Sequence, residues 1–416
     1  MNAHVGNVAT AAASLAVLTA LGWGGWVVLT PTPKLESADV AALASQGRFD
    51  EGEARVAAYL RSRPDDPSAL FLAARMALDR PEPTVADAER AQSYLARIHP
   101  ESRRAAANVA YYRGKAAFHL SRMTEAERSW RRALDLDPTV PEAAWGLLEV
   151  YYVEGRGLDA RRLALKQHII EPDPRDRVLY LLELVRSDYQ KMSPAGIIRW
   201  AEPVVRKNPD DLRGRLAYGR GNVLVSDVEA GLKLLREAVV THPDDADAWD
   251  AFLTGLEEGG APDDELIAAV GRLPRSLADQ PRFARHLGRA AQEKLDWREA
   301  VSQYRRAVAS DPGDTPTRYR LARALRNTGE IAEADRIDHQ LRDIRAAEGE
   351  MAELYESASA DKRLGAVPNL DLYRRLADVR ERMGRPDEAA AWHRLVLHDA
   401  PDDALGLAAL KRLETP

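Results

Sequence analysis

Two hydrophobic patterns divide the chain. From Val8 to Leu29 runs a stretch of 22 residues without a charged side chain. A helix of that length is about 33 Å long at 1.5 Å per residue, against roughly 30 Å for the hydrocarbon core of a bilayer. Trp23 and Trp26 lie toward its end, where aromatic rings prefer the membrane interface, and Pro31 and Pro33 stop it. The stretch reads as an uncleaved transmembrane anchor. The other readings are a buried helix and a cleaved signal peptide, which needs a positively charged start where only the α-amine and His4 qualify. After Lys34 the pattern changes. No strand-like alternation is sustained, and apolar residues recur at helical spacing between turns.

The turns share a chemistry. Pro-Asp-Asp returns at Pro64, Pro209, Pro243 and Pro401, with Pro312-Gly313-Asp314 as a variant. Proline cannot continue a helix, and aspartate caps the start of the next. Pro209 to Pro243 spans 34 residues, as does Pro138 to Pro172. Inside each period two helices fit. Gly47, Gly329 and Gly384 stand where a left-handed residue would end the first, and Gly52, Ala334 and Ala389 follow five positions later on a buried stripe of the second.

This arrangement resembles the tetratricopeptide repeat family. Gly114, Ala126, Trp130, Ala133 and Pro138 stand at the family's signature spacings, as do Gly288, Trp297, Ala300, Tyr304, Ala307 and Pro312, and Tyr373, Ala377, Gly384, Ala389 and Pro401. Gly219, Gly231, Ala238 and Trp249 mark weaker copies. The resemblance implies an all-α fold, an α-solenoid built as a right-handed superhelix of about ten helix pairs, behind an N-terminal transmembrane helix. Residues 1–34 are then the anchor and a short linker, 35–358 the solenoid, and 359–416 a linker, a final pair and a capping helix. No proline interrupts Ala332 to Ala358, so the second helix of that pair overruns. Each pair of such an array is expected to touch only its neighbours.

The family's first helices line a concave face that usually binds proteins or peptides. Two groups stand at groove-facing phases. Arg282, Arg285 and Arg289 share one helical face, and Tyr319, Arg323 and Arg326 take similar phases on the next first helix. Guanidinium groups hold carboxylates with paired hydrogen bonds, so an acidic peptide segment fits here. The plainer reading is a solvated face in a chain where nine Lys leave 50 of the 59 basic residues as Arg. The second group is Tyr111, Trp145 and Tyr152, either anchors for an apolar side chain or packing between repeats.

Composition narrows the chemistry. The 45% of hydrophobic residues can build a core, and the 30% of charged residues argue against many membrane spans. A net charge of −6 speaks against nucleic acid as a partner, and the absence of Cys excludes disulfides, thiolate metal sites and a Cys nucleophile. His393 and His398, five apart, lie on different helix faces. Gly155-Arg156-Gly157 fits the letters of a dinucleotide loop but follows a helix, so it reads as a turn within a pair. No cofactor, metal or catalytic constellation is expected.

The function expected is that of a membrane-anchored scaffold with no activity of its own. The alternative is an obligate assembly subunit of a bacterial envelope complex. A ladder of Ala12, Ala16, Ala20 and Gly24 would let two membrane helices approach closely, which allows a homo-oligomer. By analogy with single-anchor bacterial proteins, the bulk is expected outside the cytoplasmic membrane, anchored through residues 8–29.

Overall fold

The computed structural model describes residues 37–189, 192–360 and 368–414. The anchor segment and its Ala/Gly ladder lie outside the described residues. Among those described, no helix is long and apolar enough to cross a membrane.

All described elements are helical, and they pair in order. The pairs are α1 (Ser37–Ser45) with α2 (Phe49–Leu60), α3 (Pro67–Leu78) with α4 (Val85–Ala96), and α5 (Arg103–His119) with α6 (Met123–Leu136). Then come α7 (Pro141–Glu154) with α8 (Gly157–Ile170), α9 (Pro174–Tyr189) with α10 (Pro194–Lys207), and α11 (Leu212–Leu224) with α12 (Val228–Thr241). After α13 (Ala246–Glu258) and α14 (Asp263–Gly271), a short α15 (Arg275–Ala278) and a 3-10 turn at Pro281–Phe283 lead into α16 (Ala284–Glu293). The rest are α17 (Trp297–Ser310), α18 (Thr315–Thr328), the long α19 (Ile331–Ala360), α20 (Leu370–Arg382), α21 (Pro386–Asp399) and α22 (Ala404–Leu413). The result is an all-α solenoid of tetratricopeptide-like pairs. The described residues divide into two compact units, one up to Ala143 and one from Ala144 onward, at a point inside α7.

The punctuation acts as its chemistry requires. Asp66, Asp211, Asp245, Asp314 and Asp403 each accept a backbone N–H of the following helix, at 2.7–3.0 Å. These are side-chain caps worth about 1 kcal/mol apiece. Gly47, Gly329 and Gly384 are left-handed, with φ of +73°, +86° and +73°. Ala334 and Ala389 are fully buried, and Gly52 is buried too.

At three equivalent turns the left-handed residue is not glycine: Ser121, Ser226 and Leu295, with φ of 59°, 71° and 59°. Leu295 carries the larger penalty, because its side chain is 69% exposed and gains little packing in return. An L-residue in this region costs about 1–2 kcal/mol. Leu295→Gly should therefore stabilise the protein by about 0.5–1 kcal/mol after the flexibility of glycine is subtracted. A urea midpoint equal to or below that of the parent would refute this.

Glycines inside the first helices have a different cause. A Cβ on Gly288 would sit 2.6–3.1 Å from three ring atoms of Tyr304, which is fully buried. Gly114 meets the Trp130 indole in the same way, at 2.5 Å. The large aromatic of each second helix thus fills the space left by the missing side chain of the first. Gly288→Ala gains about 1 kcal/mol of helix propensity but must displace a rigid ring. A net loss of about 1–3 kcal/mol is expected in thermal or urea unfolding, and a neutral result would mean that the ring shifts freely.

One expectation for a repeat array is overturned. In the unit from Ala144 onward, α21 packs against α8 and α9, and α19 against α9, as well as against their sequence neighbours. The physical reason lies partly in the unbroken α19, 30 residues long, which extends beyond its own repeat. The last hairpin thereby meets helices about 200 residues earlier in the chain.

Candidate functional site

The first helices α11, α13, α16 and α18 carry rows of charged residues at three- and four-residue spacing. On α13 the row is Asp247, Asp250, Thr254 and Glu257. On the turn into α16 and along it, the row is Arg282, Arg285 and Arg289, the set expected from the sequence. The structure brings these two rows together. Arg282 donates to Asp247 at 2.8 Å. Arg285 donates to Asp250 at 3.0 Å and to the Thr254 hydroxyl at 2.8 Å. Arg289 faces Asp263 at 3.4 Å and Glu293 at 2.9 Å.

The basic row is therefore one side of an ion-pair ladder and not a free cationic surface. From the other flank, Arg213 on α11 reaches Asp247 at 2.9 Å, and Arg156 reaches it at 3.2 Å. His286, almost fully buried, contacts Glu257 through Nδ1 at 2.6 Å and Asp250 through Nε2 at 3.1 Å. Arg320 donates to Glu257 at 2.9 Å. Burial works against the charge on these carboxylates, but the cations prevail. Asp247 is held below the usual range by Arg156, Arg213 and Arg282. Asp250 is held far below it by Arg285 and His286, and Glu257 is lowered to about 2, chiefly by His286. Burial likewise opposes the charge of Arg285, and Asp250 outweighs it and raises its pKa.

On α18 the expected residues take separate partners. Arg326 turns to Asp335 and Asp338 on α19. Tyr319 is 39% exposed and lies under the Arg345 guanidinium, 5.1 Å from its ring centre. Arg323 is exposed, lies 5.9 Å from the Trp297 ring centre and has no carboxylate partner among the described residues. Tyr319 and Arg323 are thus the accessible portion of the expected site.

The aromatic group is engaged in packing. Tyr111 sits edge-on to Tyr112, with ring centres 4.8 Å apart, against the core of the N-terminal unit. Trp145 stacks on Tyr180 at 4.7 Å and 8°. Tyr152 lies beneath the Arg186 guanidinium at 5.7 Å. All three are half-buried.

Sequence reasoning missed a second ion cluster, at the contact between the last hairpin and α8–α9. Arg161 pairs with Asp188 and, at 2.5 Å, with Glu388. Arg380, with no exposed surface, pairs with Asp188 at 2.5 Å and approaches Glu388 at 3.2 Å. No local signal marks the contact, because Arg380 lies 192 positions from Asp188 and Glu388 lies 227 from Arg161. The Asp247 ladder did leave a trace. Arg282 and Arg285 each lie 35 positions after their acid, close to one repeat period. Among the described residues no grouping of His, Asp and Glu could hold a metal ion.

A helix-paired fold with charged first-helix rows defines an α-solenoid. The tetratricopeptide repeat model matches residues 41–103, 111–176 and 286–334, so the chain carries tetratricopeptide repeats. It is 29% identical over 170 residues to cellulose synthase operon protein C of Pseudomonas fluorescens, a match covering 37% of this chain and 13% of that protein. The chain thus spans a small part of that relative's length. Among solved structures it is similar to the APC/C hetero-tetramer Cut9-Hcn1, with 14% identity, a TM-score of 0.28, and coverage of 90% and 89% of the two chains. It is also similar to the C-terminal part of a tetratricopeptide repeat-containing protein from Cytophaga hutchinsonii, with 16% identity, a TM-score of 0.30, and coverage of 68% and 98%.

Proposed function

We propose that the chain is a non-catalytic scaffold that holds protein partners on the first-helix face of its repeats, tethered to the bacterial inner membrane by Val8–Leu29. The observation that carries this reading is the pair Tyr319 and Arg323, an exposed aromatic beside an exposed cation on a rigid first helix. Aromatic and arginine side chains are the usual anchors of protein interfaces. Arg282 and Arg285, on the preceding first helix and the turn into it, are already neutralised by Asp247 and Asp250. A partner segment that docks beside them is expected to carry an acidic residue for Arg323. The relative named for a cellulose synthase operon supports placement at the envelope. The length and apolarity of Val8–Leu29 support the tether, which restricts partners to a surface and raises their effective concentration there.

The test is capture of envelope proteins by full-length chain, cross-linked and compared with Tyr319→Ala/Arg323→Glu. Arg285 is left unchanged, because glutamate there would stand against Asp250 and unfold the site. A partner whose recovery drops about tenfold in the double variant supports the reading. A partner recovered equally moves the site elsewhere. The second reading, an obligate assembly subunit, is favoured by Leu405 and Leu407, exposed at 71% and 51% on α22. It gains if no partner is captured while the full-length chain sediments as a large complex.

A further inference from the structure

A cleft of about 340 Å³ opens between the second helices α17 and α19, floored by the first helix α18. It lies on a different stripe of α18 from Tyr319 and Arg323, so it is separate from the site above. Its floor is apolar, formed by the buried Leu321 and Ile337. Its walls carry three guanidinium groups, Arg305, Arg318 and Arg336, against one carboxylate, Glu333.

The pairing inside the cleft is incomplete. Glu333 is committed to Arg305 at 2.5 Å, and Glu330 joins it at 2.6 Å. Arg318 is half-buried and donates only to neutral acceptors, the Pro312 carbonyl at 2.7 Å and Gln340 at 2.8 Å. Burial, and then the charge of nearby Arg385, disfavour its cation more than Asp311 and Asp314 favour it. Arg336 reaches only the Ala332 carbonyl of its own helix, at 3.4 Å. Among the described residues neither Arg318 nor Arg336 has a carboxylate within ion-pair distance. Two cations thus face an apolar floor, and among the described residues neither is paired with a carboxylate.

A free inorganic anion would satisfy the cations but leave the Leu321–Ile337 floor wet. A carboxylate carried next to an aliphatic side chain satisfies both, and the volume stands near the low end of the roughly 300–1,000 Å³ typical of ligand pockets. We propose that this cleft is a second protein-recognition site, taking an acidic side chain and an adjacent aliphatic residue from a partner segment. The inference rests on the protein-binding reading and adds a contact on the second-helix side.

The probe is acetyl-Leu-Glu-Leu-Glu amide, titrated into the purified full-length chain by calorimetry, with the Leu-Gln-Leu-Gln peptide and inorganic phosphate in parallel. The glutamate peptide should bind about tenfold tighter than the glutamine peptide, since a charge-assisted hydrogen bond is at stake. Arg336→Gln, at an exposed position that cannot endanger the fold, should weaken it about tenfold, and Arg318→Gln by a similar factor. Tyr319→Ala/Arg323→Glu should leave it unchanged. Equal binding of the two peptides, or no effect of Arg336→Gln, overturns the proposal. So does phosphate binding as tightly as the peptide with the same arginine dependence, which would make this a plain anion site. If the peptide fails while full-length chain still captures a partner through Tyr319 and Arg323, the cleft falls and the scaffold stands.

Discussion

Asp188→Ala lowers the unfolding free energy by about 3–5 kcal/mol, the range for removing one member of a buried ion cluster. Asp188 receives both Arg161 and Arg380, and Arg380 has no exposed surface. Burial raises the pKa of Asp188, yet the two arginines outweigh it and hold the carboxyl below its ordinary range. Without it, Glu388 alone faces two guanidinium groups. The cost is that of stranded charge, not of one lost contact. Replacing Arg161, Asp188, Arg380 and Glu388 together with apolar residues of similar volume should therefore cost far less than the single change. Hydrogen exchange supplies a local readout. In Asp188→Ala, the amides of residues 370–399 should exchange faster, while those of α1–α5 stay as they were. A loss under about 1 kcal/mol with unchanged exchange would show that apolar packing, around the buried Trp392 for example, holds the hairpin by itself.

The second large effect is on acid stability. Glu257 drops from 4.5 to about 2, because the hydrogen bond from His286 and the charges of His286, Arg320 and Arg285 overcome its burial. Its folded pKa is depressed, so its contribution is present above the unfolded value and is lost as the pH falls through the folded one. At 1.36 kcal/mol per pH unit the contribution is about 3 kcal/mol at neutral pH, disappearing between about pH 4.5 and 2. Asp247 and Asp250 titrate in the same direction and deepen the acid limb. Glu257→Gln should lower stability at pH 7 by up to about 3 kcal/mol and flatten the curve below pH 4.5. Parallel curves for the two proteins from pH 7 to pH 2 would show that Glu257 is not held by its cations.

The caps and turns were legible in the sequence because their chemistry is local. Proline followed by aspartate acts on the next few backbone amides, and the distance from Asp66 to the Ala69 amide depends on nothing else in the chain. The overrun of α19 was legible for the same reason, from the absence of proline. The left-handed Leu295 was not, since only the surrounding repeat forces that backbone on a residue that resists it. At the candidate site the residues of the basic row stood out, but their state did not. Arg285 reads as an available cation until Asp250, on another helix, is seen against it. The contact between Arg380 and Asp188 had no sequence signature at all. It depends on how much each repeat rotates on the last, summed over several repeats, and small changes in helix packing accumulate in that sum.

That contact alters how the C-terminal unit comes apart. In an open array the terminal repeat has one neighbour and frays first, and each loss exposes only the next repeat. Here the hairpin of α20 and α21 is held at α19 and again at α8 and α9. To fray, it must break both attachments at once, so the weak end shrinks to α22, which packs on α21. Its formation is correspondingly late, since joining residues 161 and 388 closes a loop of 227 residues before any return is felt. The unit from Ala144 onward is therefore expected to unfold as a block and not repeat by repeat.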